Sequence, residues 1–179
     1  MFNKLSLRDA LFLGFCAIII IVFRIAFRWH LGISGHSMFF TLGLLLLARG
    51  CVNFRWSASS TGLLAGLMAL LLGLGKGGPL IVAKFVFPAL VVDLAACLWP
   101  FYFTSYLGVA VVAAAAAGTK FFNTALMDWL VGMDKLLIVQ HALLESLGAI
   151  LFGVAGSLLV PPVLTKLKAR GFIAKYKEP

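Results

Sequence analysis

Arg24, Arg28, His36, Lys84, Lys120, Asn123, His141 and Glu145 interrupt stretches of chain that are otherwise apolar. Cations outnumber the one carboxylate in this set. That balance suits a ligand carrying a carboxylate, a phosphate or electron-rich ring oxygens and nitrogens, with Asn123, His141 and Glu145 supplying hydrogen bonds. His141 and Glu145 are four residues apart and share a helix face, so they could act as an acid–base pair. The same spacing allows a metal, but two ligands do not make a site and the neighbouring cations oppose a divalent ion. No metal and no cofactor are therefore expected. The run from Gly73 to Gly78 satisfies GxGxxG literally, yet no βαβ pattern surrounds it and Lys76 is not followed by Ser or Thr. Neither a GxSxG elbow nor an HExxH pattern occurs.

The elements that must position these groups are apolar helices. Of 179 residues, 63% are hydrophobic, against roughly half in a soluble domain, and mean hydropathy is +1.08. The expectation is an all-α integral membrane protein: one domain over 1–179, a bundle of six transmembrane helices near 10–30, 37–53, 59–75, 79–98, 104–122 and 137–160. The second span is short, which suggests a helix that stands nearly upright or is partly buried in protein. Pro161-Pro162 is expected to end the sixth. Lys4, Arg8, Arg49, Arg55, Lys166, Lys168, Arg170, Lys175 and Lys177 fall on one side, and Lys76 and Lys135, with Asp128 and Asp134, on the other. The positive-inside rule then makes both termini cytoplasmic. A net charge of +9 fits this topology and lipid headgroups; no soluble basic face exists for nucleic acid.

On that topology the polar groups gather at one depth. Arg24 and Arg28 lie in the outer part of the first helix, followed by His30 and, in the first outer loop, His36. Lys84 sits a little over a turn into the fourth helix, Lys120 and Asn123 close the outer end of the fifth, and Gln140, His141 and Glu145 begin the sixth. Polar side chains inside spans face the bundle interior or a water-filled cavity, so the eight define an outward-opening pocket. Plainer roles exist for some. Arg28 and Lys120 are near enough to the interface to snorkel. Glu145 could be neutralised by Lys84 or by Arg24. Asp93 lies beyond Pro88 toward the cytoplasm and is expected to pair with Arg49 or Arg55, tying the fourth helix to the second loop. Cys16, Cys51 and Cys97 are odd in number and set in or beside apolar segments, which argues against a disulfide framework.

Small residues recur at helix-packing intervals. Gly62/Gly66, Ala65/Ala69, Ala110/Ala114 and Ala113/Ala117 permit close approach within the bundle, and Ala10, Gly14 and Ala17 form a groove on the first helix that could receive another helix or another protein.

The chain resembles the substrate-binding S components of energy-coupling factor (ECF) transporters. The resemblance is strongest in Gly35-His36-Ser37 with Leu47-Ala48-Arg49, in Thr61-Gly62-Leu63-Leu64-Ala65-Gly66-Leu67, and from Lys84 to Asp93. It implies a multi-pass subunit of a bacterial cytoplasmic membrane that is not itself an enzyme. Such a subunit captures a small water-soluble micronutrient in an extracytoplasmic pocket under outer loops. It also implies docking through an AxxxA-type surface on a transmembrane coupling subunit driven by two cytoplasmic ATPases. Ala10-Leu-Phe-Leu-Gly14 departs from literal AxxxA at its second small position. The alternatives are a small membrane enzyme using His141 and Glu145 on a lipid-linked substrate, and a scaffold subunit whose charges are only ion pairs.

Overall fold

A computed structural model describes residues 6–28, 35–74, 78–99 and 102–169. His30, Lys4, Lys76, Arg170, Lys175 and Lys177, which enter the topology argument, lie outside the described residues, as does the Arg28 side chain. The described residues are all-helical: α1 (Leu7–Arg28), α2 (Ser37–Cys51), α3 (Ser57–Leu71), α4 (Leu80–Leu98), a 3-10 turn (Tyr102–Thr104), α5 (Tyr106–Leu130), α6 (Lys135–Ser157) and α7 (Val160–Ala169).

Helix boundaries follow local chemistry. The Ser6 hydroxyl accepts from the Asp9 N–H at 3.2 Å and caps α1. At the far end of α5, Gly132 takes φ 82°, a left-handed value cheap only for glycine. The Gly132 N–H then donates to the Trp129 carbonyl (3.0 Å) and the Met133 N–H to the Asp128 carbonyl (3.1 Å), closing the last turn. Two boundaries differ from the sequence expectation. α5 runs to Leu130 rather than stopping near 122, because Lys120, Thr124 and Asp128 recur every four residues on one inward face and the helix need not end to solvate them. Pro161-Pro162 does not end the last apolar stretch. The prolines occupy the first turn of α7, where a missing N–H costs nothing, and an apolar run continues from Lys135 to Leu167.

Four helical stretches, Leu7–Ala26, Leu80–Leu98, Tyr106–Leu130 and Lys135–Leu167, are long and apolar enough to cross a bilayer. α2 and α3 are apolar but only 15 residues each, about 22 Å of rise against a hydrocarbon core of about 30 Å. Packing neighbours run α1–α2–α6–α5–α4–α3 and back to α1, and α2 also touches α3, α4 and α5. α2 is therefore the enclosed helix: none of its residues is exposed, and Leu42, Leu45, Leu46 and Ala48 are wholly buried. A helix apolar on every side is stable in that position. The outer helices instead present apolar stripes outward, as with Leu7, Leu11, Phe15, Ile18, Val22 and Ile25 on α1. An outward apolar surface of this extent is a lipid face, and the chain is a multi-pass membrane protein.

Close approach rests on small residues. A Cβ on Gly62 would lie 2.8 Å from the Phe85 carbonyl oxygen of α4, and one on Gly156 of α6 would collide with the Phe39 carbonyl of α2. The α1 groove is only partly open. Ala17 is fully buried in the core, so it is unavailable to a partner, whereas Ala10 and Gly14 are half-buried.

The end of the bundle away from the pocket residues is fastened by Asp93, which is 0% exposed. No side chain of α3's own caps its first turn. The Asp93 carboxylate, on α4, accepts instead from the Ala58 N–H (3.2 Å), the Ser59 N–H (2.7 Å) and the Ser59 hydroxyl (2.6 Å). Arg49 Nε lies 3.4 Å from the same carboxylate, while Arg49 Nη1 donates to the Phe54 carbonyl at 2.8 Å. Of the two arginines considered from sequence, the partner is Arg49. Beside this cluster Tyr102 is buried, and burial holds its phenol well above the ordinary tyrosine range.

Candidate functional site

A partly enclosed cavity of about 150 Å³ lies among five helices. Arg24 reaches it from the last two turns of α1; Ser37, Met38 and Thr41 from the start of α2; Lys84 from the second turn of α4; Lys120, Asn123 and Thr124 from α5; and Glu145 from α6. Five of the eight residues singled out in the sequence thus meet in one space, although more than a hundred positions separate the first from the last. The reason is topological. Antiparallel neighbours bring the end of α1, the start of α2 and α4, the later half of α5 and the first half of α6 to the same level. The antiparallel sense of α5 and α6 is visible in their cross-links, since rising numbers on one meet falling numbers on the other.

The interior of the cavity is electrostatically uneven. Lys120 Nζ lies 3.4 Å from Glu145 Oε2, and the Thr124 hydroxyl donates to the same oxygen at 3.1 Å. Glu145 is therefore neutralised by Lys120, not by Lys84 or Arg24 as the sequence allowed. Lys120 lies nearly three turns inside α5 and is committed to that pair, so it does not snorkel. The Arg24 guanidinium carbon sits 4.8 Å from the centroid of the buried Phe85 ring, a cation–π arrangement that steadies it at the rim of the core. Lys84 is half-buried and, among the described residues, forms no direct ion pair. It is the cation left facing the space.

Hydroxyls and amides complete the lining. The Thr41 hydroxyl, which lines the cavity, donates back to the Ser37 carbonyl at 2.8 Å and keeps its acceptor capacity. Asn123 donates weakly to the Thr119 carbonyl at 3.4 Å. Ser37, Met38, Thr41 and Thr124 were not singled out in the sequence. The available signal was spacing: Ser37/Thr41 and Lys120/Thr124 are both four apart, so each threonine shares a face with a residue already suspected or with the helix start beside His36.

Two expected members, His141 and His36, stand apart, and the side chain of a third lies outside the described residues. His141 is half exposed and does not line the cavity. Its Nδ1 is 2.7 Å from Asp128 Oδ2, and its Nε2 is 4.0 Å from Glu145 Oε1. The reason is the added length of α5, which places Asp128 opposite His141 rather than in an outer loop. His36 is half-buried at the position preceding α2 and is not among the lining residues. Arg28 ends α1, with its side chain outside the described residues. Among the described residues no three His, Cys, Asp or Glu side chains gather as a metal-binding group.

The arrangement can hold a solute by charge and hydrogen bonds. The His141–Asp128 pair beside Glu145 also resembles a carboxylate-oriented imidazole of the kind used for proton transfer. No protein-family model matches this chain, and neither a curated protein nor a solved structure matches it.

Proposed function

We propose that this chain is the substrate-binding subunit of an ATP-driven micronutrient uptake transporter of the ECF type. In this reading it sits in a bacterial cytoplasmic membrane with six spans and cytoplasmic termini. It binds a small water-soluble solute from the extracytoplasmic side. One observation carries the reading: Arg24, Lys84, Lys120, Asn123 and Glu145, from four helices, converge on a single cavity inside an apolar bundle. Ionisable groups within spans are costly and are kept for substrate pathways and binding sites. The resemblance noted in the sequence supports the transporter class. The central placement of α2 supports six spans, because a helix enclosed by protein need not itself match the thickness of the hydrocarbon. The chain carries no nucleotide-binding motif, so energy would come from a coupling subunit and two ATPases.

The test is mass spectrometry of the chain purified in native lipid. A stoichiometric small molecule, lost in Lys84→Met, supports the binding subunit; an empty cavity and no stabilisation by any solute argue for the scaffold. Docking is tested on α1. A Cβ on Gly14 meets nothing within 4 Å, so Gly14→Leu should leave the fold intact while abolishing copurification of an integral partner and ATPases. The second reading, a membrane enzyme acting on a lipid-linked substrate, is favoured only by the His141–Asp128 pair at 2.7 Å. Lipid turnover lost in Glu145→Gln, with solute binding retained, would establish it.

A further inference from the structure

Most small-molecule pockets are lined by apolar and aromatic side chains with a few polar groups, and drug-sized ligands occupy about 300–1,000 Å³. This cavity departs from both norms. It is about 150 Å³, and among the described residues Met38 is the one apolar side chain that lines it. Its volume corresponds to about five waters of bulk liquid. Phe85 is spoken for by Arg24 above its ring, and no aromatic side chain among the described residues lines the space on which a flat heterocycle could stack.

The charges narrow the chemistry further. Arg24, Lys84 and Lys120 face one carboxylate, Glu145, which is already neutralised by Lys120 and accepts from Thr124. A cationic ligand would meet the ammonium of Lys84 and, among the described lining residues, no carboxylate but Glu145, which Lys120 already occupies. A neutral one would leave Lys84 without a counter-charge in a setting of low dielectric, where an uncompensated ammonium is expensive. An anion resolves both.

Resting on the solute-binding reading above, we propose that the ligand is a small hydrophilic anion, a phosphate or phosphorylated or hydroxylated carboxylate-sized compound. Its charged group sits on Lys84 and Arg24; the second N–H of the Asn123 amide can donate to its oxygens, and the Thr124 oxygen, whose proton goes to Glu145, can accept from a ligand hydroxyl. Lys84 is the anchoring residue and sets the preference for anions. Glu145 does not receive the ligand; it holds Lys120 in place and limits the positive charge of the empty cavity. The sign of the effect at Glu145 separates this assignment from any in which the carboxylate binds the ligand.

The full chain in phosphatidylcholine nanodiscs would be titrated with inorganic phosphate, glycerol 3-phosphate and glycolate, against glycerol and sodium chloride at matched ionic strength. Thermal unfolding and calorimetry would be the readouts. Saturable binding by at least one of the three anions, none by glycerol or chloride, is expected. Lys84→Met should weaken the bound anion about tenfold or more, the scale of a hydrogen bond to a charged group. Lys84→Arg should stay within a few-fold, and Glu145→Gln should tighten binding by releasing Lys120. If Lys84→Met fails to fold, Lys84→Arg and Glu145→Gln still decide the matter. Glycerol binding as tightly as glycerol 3-phosphate, no binding by any of the three anions, or weakening by Glu145→Gln would each overturn the anion assignment. A neutral, cationic or aromatic native ligand found by mass spectrometry would overturn it too, while leaving the binding subunit standing. The same chemistry is present in lipid headgroups, so a parallel series uses phosphatidylglycerol nanodiscs without solute. Stabilisation in that series alone, dependent on Lys84, would keep the anion site and overturn the soluble-solute function.

Discussion

Asp93 is the residue whose loss should cost the most. From α4 it holds two other helices at once: α3, through the Ala58 and Ser59 amides and the Ser59 hydroxyl, and α2, through the guanidinium of Arg49. Asp93→Asn keeps the shape but leaves Arg49 buried without its counter-charge. Breaking a buried pair from one side typically costs about 3–5 kcal/mol. That loss should appear in reversible detergent unfolding, and Asp93→Asn with Arg49→Met together should recover part of it. A double variant no better than the single would mean that the cap on α3, and not the ion pair, carries the stability. The cavity residues show what a sequence reveals at this scale. Arg24, Lys84, Lys120, Asn123 and Glu145 were legible because a long polar side chain is conspicuous in an apolar span. Thr41 and Thr124 were not, since hydroxyls on a span commonly bond the preceding turn and carry no such mark.

The pairs α3–α4 and α2–α6 owe their closeness to residues without side chains. Gly62 lies against the backbone of α4 and Gly156 against that of α2, whereas a Cβ on Gly118 of α5 would meet nothing within 4 Å. Gly62→Ala and Gly156→Ala should each destabilise by about 1–3 kcal/mol through overpacking. Gly118→Ala should be neutral or slightly stabilising, since alanine is the better helix former. Thermal unfolding of the three variants in one lipid checks the contrast, and equal effects would refute the close-approach geometry. The existence of α1 to α6 was legible from apolar runs bounded by glycine and proline, whereas α7 and the 3-10 turn were not foreseen. Nor was the length of α5. Lys120 and Asn123 looked like the end of a span, because sequence alone does not show that Asp128 turns inward to meet His141. The prolines after α6 misled in the same way, being equally at home at the end of one helix and in the first turn of the next.

At the scale of the molecule, the two ends of the bundle differ in character. One holds the cavity and its cations; the other holds the buried Asp93–Arg49 cluster and leads into basic α7. In the topology proposed above, the first faces outward. With Cys16, Cys51 and Cys97 replaced by alanine, Asp134→Cys should react with a membrane-impermeant maleimide on intact cells. Lys166→Cys should react only after permeabilisation. The reverse pattern would invert the topology and turn the cavity toward the cytoplasm. Multi-pass character was legible from composition. That α2 is the enclosed helix was suggested only by its shortness, because an apolar stretch reads alike whether it faces lipid or protein.

The carboxylate that closes the first turn of α3 is supplied by α4, about 35 residues later in the chain. Until α4 is made, the Ala58 and Ser59 amides lack this carboxylate and must be met by water instead. During biosynthesis the first turn of α3 therefore reaches its final hydrogen bonding only once α4 is present. The two helices should leave the translocon together as a hairpin, with the Gly62–Phe85 contact formed as they partition.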